Sequence, residues 1–155
     1  MTITYSEIVT YVKRQLSIIG KRLYTKDGKN MFSDITISSA EVDTLNLLIK
    51  SSAHDVEAVL KQFITSTTEN TGSFMMNITN TRGDDDFQTR AENMAKDYAQ
   101  YNTLAEYLSM THPDIAAKYQ RDAQQRMESL VEYVFYKKPP TPSSSDYDDI
   151  NGTTE

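Results

Sequence analysis

Apolar residues recur every three or four positions near the start of the chain, which predicts an amphipathic helix over about 4–24. Thr4 stands just before this stripe and Glu7 follows three residues later, the spacing of a capping box. The stripe consists of Tyr5, Ile8, Val12, Leu16, Ile19 and Leu23. The basic residues, which fall largely on the other side, are Lys13, Arg14, Lys21 and Arg22. We therefore expect the first helix to carry a basic face.

A second capping box, Ser38 with Glu41, starts another apolar stripe. This stripe runs through Val42, Leu45, Ile49, Ala53, Val56, Leu60 and Phe63. Its length predicts a very long helix over about 39–67, which would either wrap the domain or project from it to meet neighbours.

Helix-favouring residues stop after this stripe, and 66–83 is rich in Thr, Asn and Gly. Such a long segment without a helix is unusual inside a compact domain, and is usually functional or mobile. It contains one apolar patch, formed by Phe74, Met75, Met76 and Ile78. We predict a protruding loop or two-stranded β-arm. An isolated arm cannot bury such a patch, so we expect these side chains to bind another subunit.

Two further helices are predicted, over about 86–110 and 113–137. The first has a regular seam for packing against another helix, made of Phe87, Ala91, Met94, Tyr98, Tyr101, Ala105 and Leu108. Pro113 suits the first position of the second, which must end before Pro139. The chain is therefore expected to be all-α, with a four-helix core over 1–138.

Three aspartates, Asp84 to Asp86, come directly before the third predicted helix. Calcium binding by an EF-hand loop needs ligands at alternating positions and a glutamate at position 12, which are missing here. We therefore assign these aspartates to N-capping and to compensation of the helix dipole.

The last stretch, 139–155, combines prolines and acidic residues with almost no aliphatic surface. It cannot bury enough to offset the entropy of ordering, so we expect it to be disordered in the free protein and extended along a neighbouring protein in an assembly. The residues expected to contact that neighbour are Pro139, Pro140, Pro142, Tyr147, Asp148, Asp149 and Ile150. The prolines limit the entropy lost on docking, and the aspartates would face basic groups.

Composition narrows the classes of protein. The 155 residues suit one domain, and without cysteine the chain has no disulfide framework and no thiolate metal site. Two histidines are too few for a typical zinc site. The sequence has no apolar run of the roughly 20 residues that span a bilayer, and its start does not resemble a signal peptide. We expect a soluble, unsecreted protein with no membrane partner.

The chain has a net charge of −6, and its charged residues are distributed unevenly along the sequence. Residues 1–30 hold six basic and two acidic side chains, whereas 139–155 hold four acidic and no basic ones. A positive head and a negative tail favour contacts between copies or docking on partners of opposite sign. The alternative is that these are ordinary solubilising charges.

A search for catalytic patterns finds almost nothing. A nucleophile–histidine arrangement is conceivable only around His54, which lies within a predicted helix and is better explained as a surface histidine. The five glycines are isolated, so there is no phosphate-binding loop. We therefore expect a non-enzymatic protein with no catalytic residues, metal or cofactor.

Ten tyrosines and no tryptophan are a marked bias. Six of them lie in the last two predicted helices: Tyr98, Tyr101, Tyr107, Tyr119, Tyr133 and Tyr136. Tyrosine suits interfaces because it has a flat apolar body and a polar tip. We expect about half of the six to be ordinary packing, and assign partner binding to Tyr133 and Tyr136.

The order of predicted elements resembles the head–tail adaptor (connector) proteins of tailed bacteriophages. The segments that carry the likeness are Glu7 to Leu23, Phe87 to Met110, the break at Thr111 to Asp114, and the tail after Pro139. The resemblance implies a virion structural protein, assembled in the host cytoplasm, that forms a twelve-fold ring between portal and tail. Its partners would be other copies of itself, the portal protein and the next tail or ring protein.

Within such a ring, the basic face of the first helix could line a channel and contact DNA non-specifically. Alone at low concentration, the chain is expected to be monomeric or weakly associated. The alternative is a small cytoplasmic helical module, such as a regulator or antitoxin, that binds one partner.

Overall fold

A computed structural model describes residues 1–22, 37 and 41–136. Within them the chain forms, in order, β1 (Thr2–Thr4), α1 (Tyr5–Arg22), α2 (Val42–Leu60), β2 (Ile64–Asn70), β3 (Ser73–Ile78), α3 (Phe87–Ser109) and α4 (Pro113–Phe135). A single 3-10 turn, Lys61–Phe63, joins α2 to β2. The chain is thus mainly helical, as predicted, but it also contains an antiparallel sheet that an all-α fold does not have.

The sheet has the strand order β1-β3-β2. Ile3 pairs with Phe74, and on the other side of β3 Thr67 pairs with Met76. Because side chains alternate along a strand, β3 turns Phe74, Met76 and Ile78 to one face, where each is at most 5% exposed. The intervening Met75 is 41% exposed.

The prediction of a protruding arm over about 66–83 is therefore wrong. The segment forms a hairpin, but β1 covers one edge of it and its apolar residues complete the core of the chain itself. The expectation that Phe74, Met76 and Ile78 contact another subunit is wrong for the same reason. Only Met75 of that patch is accessible to a partner.

The prediction of a very long second helix, over about 39–67, is also wrong. It begins at Val42 and ends at Leu60, 19 residues in all, and Ser38 lies outside the described residues. The apolar periodicity continues to Phe63, but the β-branched run that follows favours a strand and pairs with β3. Tertiary pairing thus overrides the helical pattern.

Helix α3 lies at the centre of the helical layer and packs on α1, α2 and α4. Its fully buried residues include Ala99, Leu104 and Leu108. A short turn connects it to α4, which begins with Pro113 at its first position, as predicted. The starts of α1, α3 and α4 and the end of α3 agree with those predicted from sequence to within one residue, whereas the predicted ends of α1 at 24 and of α4 at 137 lie outside the described residues.

The predicted N-cap of α3 differs in detail. Asp86 occupies the cap position but makes no capping hydrogen bond through its side chain. Its carboxylate pairs instead with Arg90 one turn into the helix, at 2.5 Å, and Asp84 pairs with Arg82 at 3.0 Å. Asp86 therefore supports the start of this helix through an ion pair, whereas Asp84 pairs within the preceding loop.

Candidate functional site

Tyrosines from three helices meet on one side of the domain. The ring of Tyr101 on α3 has its centroid 6.1 Å from that of Tyr11 on α1 and 6.3 Å from that of Tyr119 on α4. Burial, followed by a hydrogen bond with Tyr101, raises the pKa of Tyr11. The three rings therefore form a continuous aromatic surface whose Tyr11 phenol stays neutral at physiological pH.

The spacing of residues on α4 extends this surface. Tyr119, Arg126 and Tyr133 are seven positions apart, which is about two helical turns, so they share one face. Tyr136 follows directly after the helix and is 50% exposed. We call the following group the tyrosine face: Tyr11, Tyr101, Tyr119, Tyr133, Tyr136, Arg82, Lys118 and Arg126.

The cations of the tyrosine face lie over its rings. The guanidinium of Arg126 is 5.3 Å from the centroid of Tyr101, and the ammonium of Lys118 is 5.9 Å from that of Tyr119. Arg82 contacts two rings, at 4.6 Å from Tyr133 and 4.8 Å from Tyr136. Cations within about 6 Å of a ring face are attracted by its quadrupole, so each contact helps to fix the position of a ring.

The loop before α3 positions Arg82. The side-chain oxygen of Asn80 accepts hydrogen bonds from the backbone amides of Arg82, at 3.1 Å, and Gly83, at 2.8 Å. Gly83 has a φ of +71°, a left-handed conformation that glycine adopts without strain. Thr81 donates a hydrogen bond to the carbonyl of Val134, which ties the loop to the end of α4.

An open pocket of about 360 Å³ lies at this end of the tyrosine face. Its lining includes Arg82, Met94, Ser129, Glu132, Tyr133 and Tyr136. The ring of Tyr133 stacks on that of Phe87 with 5.6 Å between centroids, and its buried hydroxyl has no hydrogen-bond partner among the described residues. The pocket therefore offers a guanidinium, a carboxylate and aromatic surface to a bound group.

The remaining tyrosines of the two helices serve packing. Tyr98 and Tyr107 are each 7% exposed, and donate hydrogen bonds to Asp55 and Glu41 respectively. Two of the six tyrosines are therefore packing residues, fewer than the half expected from sequence. Tyr133 and Tyr136, assigned to partner binding from sequence, both belong to the tyrosine face.

The other predicted site residues are dispersed. Lys13, Arg14 and Lys21 are exposed along α1, and Arg22 is the last residue of that helix. The predicted contact residues of the tail lie outside the described residues: Pro139, Pro140, Pro142, Tyr147, Asp148, Asp149 and Ile150. Sequence reasoning missed the contributions of Tyr11, Arg82, Lys118 and Arg126. The seven-residue spacing of Tyr119, Arg126 and Tyr133 was a signal for one of them.

His54 is a surface residue of α2, as expected. Its Nδ1 lies 3.0 Å from a carboxylate oxygen of Glu57 and its Nε2 lies 3.7 Å from one of Glu69. Its ring meets that of Phe74 edge-on, with centroids 4.9 Å apart. These contacts explain His54 as a side chain that joins the helix to the sheet.

Within residues 1–22, 37 and 41–136, no three or more His, Cys, Asp or Glu side chains are grouped so that they could hold a metal ion. In the same ranges no helix combines the length and apolarity needed to cross a membrane. No protein-family model, curated protein or solved structure matches this chain.

Proposed function

We propose that this chain is a non-enzymatic assembly protein that binds other proteins through the tyrosine face. The observation that carries the proposal is the convergence of five tyrosines and three cations from α1, α3, α4 and one loop. Tyrosine and arginine are among the residues most enriched where protein interfaces gain their affinity. Tyrosine brings a large, rigid contact area, and arginine brings a planar guanidinium with several hydrogen-bond donors.

Charge favours a protein partner over nucleic acid at this face. Arg126 lies 3.8 Å from Asp97, and Arg82 is hydrogen-bonded to Asp84. Nearby, Lys96 pairs with Glu7 at 3.2 Å and also with Glu92. A nucleic-acid site needs cations that can neutralise phosphates, whereas both arginines of the tyrosine face, Arg82 and Arg126, already have carboxylate partners. Mixed charge around aromatic residues is the composition of a protein interface.

The specific role proposed is that of a head–tail adaptor in a tailed phage, in the virion, with the portal and the next tail or ring protein as partners. The basic α1, the α3 seam, the break before Pro113 and the acidic tail support this role. The very long helix and the projecting arm that completed the expected order are not present. The proposal therefore rests on those four features together with the tyrosine face.

The compact packing of the hairpin supports the second candidate, a small cytoplasmic helical module that binds one partner. With β3 buried, the described part of the chain has no projecting element for reaching the next subunit of a ring. The two candidates share the tyrosine face and differ in the partner that covers it.

Binding to the portal protein of the same phage tests the proposal. We expect Tyr136→Ser and Arg126→Ala each to weaken the binding of purified portal by about tenfold, because both remove exposed interface residues. Leu47→Ser, which removes a 68% exposed side chain from α2, and Arg121→Ala, on α4 outside the tyrosine face, are matched controls.

Unchanged folding of all four variants by circular dichroism makes the comparison valid. Portal binding that none of them alters would exclude the tyrosine face as the interface. No binding of the unaltered protein to portal would exclude the adaptor role and leave the single-partner module.

A further inference from the structure

A groove on another part of the molecule runs between α2 and α4, with α3 as its floor. Its volume is about 340 Å³, and it is lined by Asp55 and Val59 from α2, Tyr98 and Asn102 from α3, and Gln124 and Met127 from α4. A smaller cavity of about 100 Å³ shares Asn102 with it and extends to Glu106 and Ser109. None of the lining residues belongs to α1.

Two carboxylates line this region, Asp55 in the groove and Glu106 in the adjoining cavity. Asp55 accepts a hydrogen bond from the hydroxyl of Tyr98 at 3.0 Å, and Glu106 accepts one from the amide of Asn102 at 3.2 Å. Neither carboxylate forms an ion pair within 1–22, 37 and 41–136. Burial, and then the charge of Asp55, raises the pKa of Glu106. A cation bound in the groove would offset the repulsion between the negative charges of Asp55 and Glu106.

The outer face of α1 has the complementary chemistry. Lys13 and Arg14 are exposed, and the described residues provide neither of them with an ion pair. Ile18, one turn beyond Arg14, is 36% exposed, and Val59 in the groove is 42% exposed. The outer face of α1 thus presents cations beside an aliphatic residue, and the groove presents carboxylates beside an aliphatic residue. The two surfaces are complementary in charge.

We propose that the groove receives the Lys13–Arg14 face of a second copy of this chain. The two surfaces are different, so the contact is heterologous, and repetition of such a contact produces a ring or an open filament. This inference rests on the proposed assembly function and supplies the contact between copies, whereas the tyrosine face is left for the other partners. It also predicts that self-association weakens with salt.

A charge-swap experiment on the full chain tests the contact. Sedimentation velocity at low salt, over a series of protein concentrations, would measure self-association of the unaltered protein, of Arg14→Glu and of Asp55→Lys. We expect each variant to raise the concentration needed for association by about tenfold or more, because each places like charges opposite one another. An equimolar mixture of the two variants should restore association, since the basic face of one then meets the acidic groove of the other.

Two further variants keep the result interpretable. Glu106→Gln removes one groove charge with little change of shape, and should weaken association in the same direction. Asp85→Lys makes the same change of net charge as Asp55→Lys, but on an exposed loop residue outside the groove, and should leave association unchanged.

The inference is overturned if the unaltered protein does not self-associate at any concentration, or if the mixture fails to restore what the single variants lose. It is also overturned if Arg14→Glu abolishes binding of a duplex DNA probe while leaving self-association intact. Portal binding measured on the same variants separates the two proposals. If the tyrosine-face variants weaken portal binding but the charge-swap variants do not change self-association, only the contact between copies is excluded. If the charge-swap variants change self-association but the tyrosine-face variants do not weaken portal binding, only the proposed function is excluded.

Discussion

The hydroxyl of Tyr98 on α3 donates a hydrogen bond of 3.0 Å to Oδ2 of Asp55 on α2. The tyrosine is 7% exposed, so most of its ring is packed between helices while its polar end reaches the groove. Removal of the hydroxyl with Tyr98→Phe should lower the free energy of unfolding by about 1.5–3 kcal/mol, the usual net value of a hydrogen bond to a charged group. Urea unfolding would measure the loss. Asp55→Asn, which keeps an acceptor but removes its charge, should cost less. An unchanged free energy of unfolding in Tyr98→Phe would contradict the bond.

Alkaline pH should destabilise the fold through its buried phenols. Burial, and then the hydrogen bond with Glu41, raises the pKa of Tyr107 to about 12. In the unfolded chain a tyrosine loses its proton at a pH of about 10. The unfolded state therefore binds fewer protons than the native state above that pH, and stability falls as the pH rises further.

Urea midpoints measured from pH 8 to pH 11 check this expectation. They should be level up to about pH 10 and decline beyond it, and Tyr107→Phe should make the decline shallower. If the urea midpoint of Tyr107→Phe falls as steeply with pH as that of the unaltered protein, other titrating groups cause the decline.

The position of Phe74 gives the sharpest stability test. It is 2% exposed and lies in the core that the sheet shares with the helices. Phe74→Ala should lower the free energy of unfolding of the isolated protein by about 3–5 kcal/mol, as large-to-small changes of buried aromatic residues do. Met75→Ala, one position along the same strand but 41% exposed, is the matched control and should cost much less. Similar losses for both would contradict the register of β3.

Gly72 and Gly83 both have room for a side chain, but only Gly83 has a backbone conformation that a side chain would strain. Gly83 has a φ of +71°, and a side-chain carbon would meet nothing within 4 Å, so conformation alone opposes a substitution there. Gly83→Ala should destabilise the protein by about 1 kcal/mol and loosen the loop that holds Arg82. Gly72 has equal space and no left-handed φ. Gly72→Ala should therefore be tolerated, and thermal melts of the two variants would show the difference.

Local patterns were sufficient to predict three of the helices. The stripes of α1, α3 and α4 repeat over several turns, and Pro113 marks the start of α4 without reference to any distant residue. The end of α2 was not predictable in this way, because Phe63 continues the helical period although the chain has already left the helix for the 3-10 turn that leads into β2.

The sheet was missed because its pairing is long-range. β1 has only three residues, too few for a recognisable alternation, and Ile3 pairs with Phe74 far along the chain. The alternation of Phe74, Met76 and Ile78 was visible in the sequence. It could not show that β1 and α2 would pack on β3 and cover them.

The candidate site was predictable in part for a related reason. A tyrosine bias in the last two helices pointed to an interface, and Tyr133 and Tyr136 could be named from it. The contribution of Tyr11 depends on α1 packing beside α3, and that of Arg82 depends on a loop bound to the end of α4. Neither contact has a local sequence pattern.

Site-specific photo-crosslinking is the sharpest test of partner binding through the tyrosine face. A photoreactive phenylalanine analogue placed at position 136, on the tyrosine face, is compared with the same analogue at position 47, on exposed α2, in particles assembled in the host. We expect the probe that replaces Tyr136 to form adducts with another protein, identified by mass spectrometry as the portal or the next tail component, and the probe that replaces Leu47 to form none. Adducts with these proteins from position 47 and none from position 136 would contradict binding through the tyrosine face.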